Sequence, residues 1–276
     1  MKKLLIVFLI TLFVREIYPQ ILISPYIIYT DKENKVGNFI VQNESENIYE
    51  ISVSFVFGYP ESDSTGQIIM KYLENDSTYS YSINKYIRAF PRKFLLEPKK
   101  RQVVRLTIKA PDTLKNGTYW TRVITSAVPY IEQNDTVSTG ITAKIRFVLN
   151  QVTTCLYRVN PAESGLEIES SEVIYDSNSV TLNVNLRRTG DSPFLGNLLI
   201  KILNKNGEVV KELTEYVPVY FKLQKRFVFN SDEFNPGEKY SVQITAVNIE
   251  KEDIPESKLK ITSVPDAKIP IEIISK

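Results

Sequence analysis

The chain has 276 residues, with 34 Lys and Arg against 32 Asp and Glu, one cysteine and no histidine. Without His the commonest general base and metal ligand are missing, so no Ser-His-Asp triad can be assembled, and with only one Cys as well no zinc site can be. A formal net charge of +2 provides no global field for nucleic acid.

Residues 1–20, MKKLLIVFLITLFVREIYPQ, place Lys2 and Lys3 before an apolar run from Leu4 to Val14 and then a polar segment. This is the layout of a cleaved secretory signal, and the apolar run is too short to span a bilayer. Cleavage after Gln20 is expected, giving an exported chain that begins near Ile21 and has no membrane span. It removes Lys2, Lys3, Arg15 and Glu16 and leaves 31 basic and 31 acidic residues, a net charge of zero.

From Ile21 onward apolar and β-branched residues recur with period two, punctuated by Asn, Asp, Gly and Pro. NFIVQN (38–43), ISVSFVF (51–57), VVRLTIK (103–109), TAKIRFVL (142–149), SVTLNVNL (179–186), GNLLIKIL (196–203) and YSVQITAV (240–247) read as strands, and no amphipathic run demands a helix. The region 61–86, rich in Ser, Tyr, Asp and Asn, reads as a long hairpin or loop. Within 90–106, FPRKFLLEPKKRQVVRL, a turn at Pro98 to Lys100 leads into a strand with Val103 and Arg105 on one face and Val104 and Leu106 on the other. Its basic residues read as the solvated face of a sandwich rather than a binding patch.

The segment 150–168, NQVTTCLYRVNPAESGLEI, breaks the strand rhythm at Asn160-Pro161 and Ser164-Gly165. The expected fold is therefore all-β: two tandem immunoglobulin-like β-sandwiches, 21–150 and 151–276, after the signal. Asn206-Gly207 reads as a two-residue hairpin turn and Pro236-Gly237 as a tight turn before Tyr240. Cys155 is expected to be a buried free thiol. The carboxylate pairs Glu167 with Glu169 and Asp232 with Glu233 read as solvated side chains on strands and turns, so no enzyme, metal or cofactor is expected.

Several segments together resemble the N-terminal domain of the periplasmic pilus-assembly chaperones, the PapD-like family. They are ISPYIIYTD (23–31), FIVQNESENIYEISVSF (39–55), the run Pro91, Leu95, Leu96, Glu97, Pro98, Gln102, Val103, Val104, Arg105, Leu106, then GTYWTRVITSAVP (117–129) and GITAKIRFVL (140–149). The second half is less similar to the family and reads as a generic immunoglobulin-like module. The resemblance implies a chaperone that binds and caps exported subunits by β-strand addition, with an outer-membrane usher as a further partner. It implies a lending strand with Val137, Thr139, Ile141, Ala143 and Ile145 on one face. It also makes Arg146 the basic residue that takes the client's terminal carboxylate, while the family's second basic position falls near Tyr26 and is not basic here. A structural or adhesive β-sandwich protein of the cell surface or of an attachment apparatus is the alternative.

Overall fold

The computed structural model describes residues 20–74, 80–131, 147–176, 178–235, 237–249, 259–262 and 264–272. The expected signal segment lies outside the described residues, apart from Gln20. The first sandwich contains β1 (Ile21–Ser24), β2 (Ile27–Asp31), β3 (Val36–Asn43), β4 (Tyr49–Ser62), β5 (Ile68–Leu73), β6 (Ile87–Phe90), β7 (Lys93–Leu96), β8 (Arg101–Ile108), β9 (Gly117–Pro129) and β10 (Leu149–Val159). Its sheets run β1-β3-β8-β6 and β2-β10-β9-β4-β5, with β7 also paired to β4. The second sandwich contains β11 (Ala162–Tyr175), β12 (Ser179–Gly190), β13 (Phe194–Leu203), β14 (Val209–Val219), β15 (Lys222–Asn230), β16 (Lys239–Asn248), β17 (Leu259–Ile261) and β18 (Asp266–Glu272). It pairs as β15-β12-β11-β17 and β14-β13-β16-β18.

Period-two patterning drives both cores. In β8, Val104 and Leu106 are fully buried while Val103 is 51% exposed, as the alternation requires. They pack with Phe39, Val41, Ile51 and Cys155, and each such side chain contributes about 1.5–3 kcal/mol by leaving water. Burial pushes the Cys155 thiol up to about 12, so it stays neutral. The second core interleaves Leu182, Val184 and Leu186 of β12 with Leu198, Ile200 and Val242 of the facing sheet.

Turns follow from local side-chain chemistry. The buried Asn43 donates to the carbonyls of Asn47 at 2.7 Å and Leu96 at 3.1 Å and accepts from the Ser45 amide at 3.0 Å, tying the β3–β4 turn to β7. Region 61–86 is a hairpin in its first half: β4 continues to Ser62, turns at Asp63 to Gln67 and returns as β5. The Asp63 carboxylate accepts from the Thr65 hydroxyl and from the Thr65 and Gln67 amides. These bonds, led by the Thr65 hydroxyl, hold it below the usual carboxylate range.

Two expectations change. The β13–β14 turn is not a two-residue loop: the Asn204 amide donates to the Glu208 carbonyl at 3.0 Å, the Gly207 amide donates to the Asn204 carbonyl at 3.0 Å, and Gly207 sits at φ 82°, so three residues are spanned. The Asn204 side chain selects this turn by accepting from the amides of Asn206 and Glu208. The second change concerns the division at 150/151, which β10 crosses without interruption. It pairs with β9 along its whole length and with β2 at Thr154–Arg158, and the chain changes sheet only at Asn160-Pro161. Buried Thr153 and Thr154 hid this strand, because their hydroxyls mask the apolar alternation.

The two sandwiches meet through a third, aromatic core. Phe57, Trp120 and Leu156 on the outer face of the β10-β9-β4 sheet pack against Leu195, Tyr220 and Phe221 of the second sandwich. Trp120, fully buried, stacks on Phe57 and Tyr81 at 5.3 Å each and meets Tyr220 edge-on at 4.8 Å. Its Nε1 donates to the Gly58 carbonyl at 3.0 Å. Arg188 lies between the rings of Tyr81 and Phe221, 4.7 and 5.2 Å from their centroids. At the tip of the β4–β5 hairpin, the Ser62 hydroxyl donates to the Gln224 carbonyl at 2.6 Å and accepts from the Gln224 amide at 2.8 Å.

Candidate functional site

The first half of β10 is an open strand edge. The β2 ladder covers only Thr154–Arg158 of β10, so among the described residues Leu149 to Thr153 are flanked by β9 alone. The Thr154 amide donates to the Tyr26 carbonyl at 2.9 Å, which fixes the direction of the strand's polar groups. Alternate residues present N–H and C=O to the same edge, so those of Asn150 and Val152 point to the open side. Apolar side chains line the same segment: Phe147, Val148, Leu149 and Val152 are all exposed. Odd positions share the face of buried Cys155 and Tyr157, and even positions share the face of Leu156 and the aromatic joint.

Where the open edge meets β2, Arg122 of β9 is buried to 6% exposure. Its Nε donates to the Gly58 carbonyl at 3.0 Å, Nη1 bonds the Thr154 hydroxyl, and the guanidinium lies 4.7 Å over the Tyr220 ring. Among the described residues its Nη2 has no hydrogen-bond partner. The site therefore combines unpaired main-chain groups, exposed apolar side chains and a buried cation at one end.

The chain is similar in fold to solved pilus chaperones. The YadV chaperone covers 92% of this chain and 100% of its own at 10% identity, with a TM-score of 0.44. The CupB2 chaperone of Pseudomonas aeruginosa covers 92% and 100% at 8% identity and a TM-score of 0.42. The CsuC–CsuE chaperone–tip subunit complex of Acinetobacter baumannii Csu pili covers 75% and 89% at 10% identity and a TM-score of 0.41. No protein-family model matches the chain, and no curated protein matches its sequence.

The six residues that the sequence assigned to client binding, Val137, Thr139, Ile141, Ala143, Ile145 and Arg146, lie outside the described residues. Among the described residues the strand beside β2 is β10, which begins at Leu149, the last residue of the 140–149 segment. Tyr26, at the position where the resemblance lacked a basic residue, is 71% exposed next to that junction. Sequence reasoning missed Arg122 and Val152. The β-branched run Val152, Thr153, Thr154 was the available signal for a strand there, whereas nothing local marks Arg122.

Three of the four carboxylates considered for catalysis are held in ion pairs. Glu167 and Glu169 both pair with Arg187, Glu169 also reaches Lys222 at 2.8 Å, and Glu233 pairs with Lys211. Among the described residues no helix is long and apolar enough to cross a membrane.

Proposed function

We propose that this chain is a periplasmic assembly chaperone that caps exported subunits by accepting or lending a strand at the open edge of β10. The observation that carries the reading is the half-paired β10, whose Asn150 and Val152 main-chain groups face no strand among the described residues while apolar neighbours stand exposed. Such an edge is completed by an added strand. Each main-chain bond gained contributes about 0.5–1.5 kcal/mol, and burial of Val148, Leu149 or Val152 adds about 1.5–3 kcal/mol per side chain. The alternating run Val137, Thr139, Ile141, Ala143, Ile145 leads into this edge in the sequence and supports a longer contact. A client strand continuing the line of β2 ends beside Thr154 and Arg122, where a terminal carboxylate would meet the guanidinium.

Proline distinguishes the edge from the ladder. Val152 points its N–H away from β9, so Val152→Pro removes only the donor a client would use. The expected result is a melting temperature within a few degrees of the parent and loss of co-purification with a co-expressed, strand-deficient exported subunit. Val152→Ala should retain the subunit. Retention by Val152→Pro would count against strand addition at this edge.

A further inference from the structure

The outer face of the β1-β3-β8-β6 sheet has a composition unlike the rest of this charge-balanced chain. Pairing sets Arg105 of β8 between Asn38 of β3 and Phe90 of β6, and Arg88 opposite Thr107. Arg101 lies opposite Gln42 and Val103 opposite Ile40. No strand position on this face is acidic. Glu44, just beyond β3, is bonded to the Gln42 side chain. The guanidinium groups of Arg101 and Arg105 make no hydrogen bond or ion pair among the described residues, whereas those of Arg122, Arg187, Arg188 and Arg226 are all engaged. Phe90 is 79% exposed and Val103 51%, so apolar side chains stand between the cations.

We propose that this face docks on an anionic phospholipid surface. Guanidinium groups take phosphate oxygens in a bidentate fork, and a bilayer places an apolar layer just beneath those phosphates, where Phe90 and Val103 can enter. An acidic protein surface would satisfy the arginines but would oppose Phe90 with carboxylates. The surface is separate from the β10 edge, which lies in the other sheet, so it positions an exported chaperone at a membrane without occluding client binding. Sequence alone showed only the β8 share of the cluster, because Arg88 and Phe90 join it through strand pairing.

The test is co-sedimentation of the chain lacking residues 1–20 with vesicles of phosphatidylglycerol and phosphatidylethanolamine, against phosphatidylcholine alone, at about 0.05 M salt, where screening is weak. Binding to the anionic vesicles only is expected. Arg101→Gln with Arg105→Gln should weaken it about 25-fold, on the basis of about five-fold per arginine. Arg101→Lys with Arg105→Lys should restore most of it, Phe90→Ser should weaken it about ten-fold, and Lys205→Gln with Lys239→Gln should change it little. Equal melting temperatures of the parent and the Gln variant confirm that folding is unaffected. Absence of binding to anionic vesicles, undiminished binding by the arginine pair, or binding to an acidic polypeptide in place of vesicles overturns the proposal.

Discussion

Trp120→Ala is expected to lower the unfolding free energy by about 3–5 kcal/mol, the range for removing a fully buried large aromatic side chain. The ring has no exposed surface, its indole nitrogen satisfies the Gly58 carbonyl, and its faces are covered by Phe57 and Tyr81. Unlike a core residue of one sandwich, it also meets Tyr220 and Phe221 of the other. Loss of the ring should therefore cost cooperativity as well as stability. The parent should unfold in urea as one transition followed by far-ultraviolet circular dichroism, and the variant as two. At about 3 kcal/mol per molar urea, the first midpoint should fall by roughly 1–2 M. A loss below about 1 kcal/mol with a single retained transition would show that the joint does not couple the sandwiches.

Arg122→Met should leave the free protein as stable as the parent or more so, by about 1–2 kcal/mol, while weakening client capture. A buried cation is costly unless its polar groups are satisfied, and the Nη2 of Arg122 has no partner among the described residues. Methionine fills most of the volume beside Tyr220 without a charge, and the Gly58 carbonyl keeps its bond from Trp120. The Thr154 hydroxyl loses its partner and the cation–π contact disappears, which moderates the gain. Urea midpoints of the free proteins, set beside subunit co-purification, give the two readouts. Destabilisation of several kcal/mol would mark Arg122 as a purely structural element of the joint.

Much of the fold was legible because alternation and one-sided burial coincide. In β8 and along Leu198–Ile202 of β13 burial alternates with an apolar inward face, so VVRLTIK and GNLLIKIL announced their inward faces. β10 was obscured for the opposite reason. It is buried on both faces from Thr153 to Val159, partly by the second sandwich, and its NQVTTCLYRV sequence mixes polar and apolar residues without period two. The same two-sided burial runs through Gly117 to Val123 of β9 and hides which of its residues serve the joint. Tyr220 and Phe221 lie about a hundred residues beyond Trp120 in the sequence, and no local pattern signals that they meet. The candidate edge was legible only as a neighbourhood: a lending strand after β9 was expected, but its pairing with β2 at Thr154, which exposes Asn150 and Val152, follows from tertiary register alone.

The central claim is that the main chain of β10 is open to a partner strand, and residue-resolved amide hydrogen exchange tests it most directly. In the free protein the amides of Gln151 and Thr153, directed at β9, should exchange slowly, and those of Asn150 and Val152 should exchange freely. Adding a strand-deficient exported subunit should slow Asn150 and Val152 to the level of their neighbours and leave Gln151 and Thr153 unchanged. If Asn150 and Val152 are already protected in the free protein, or remain freely exchanging in a stable complex, strand addition at this edge is contradicted.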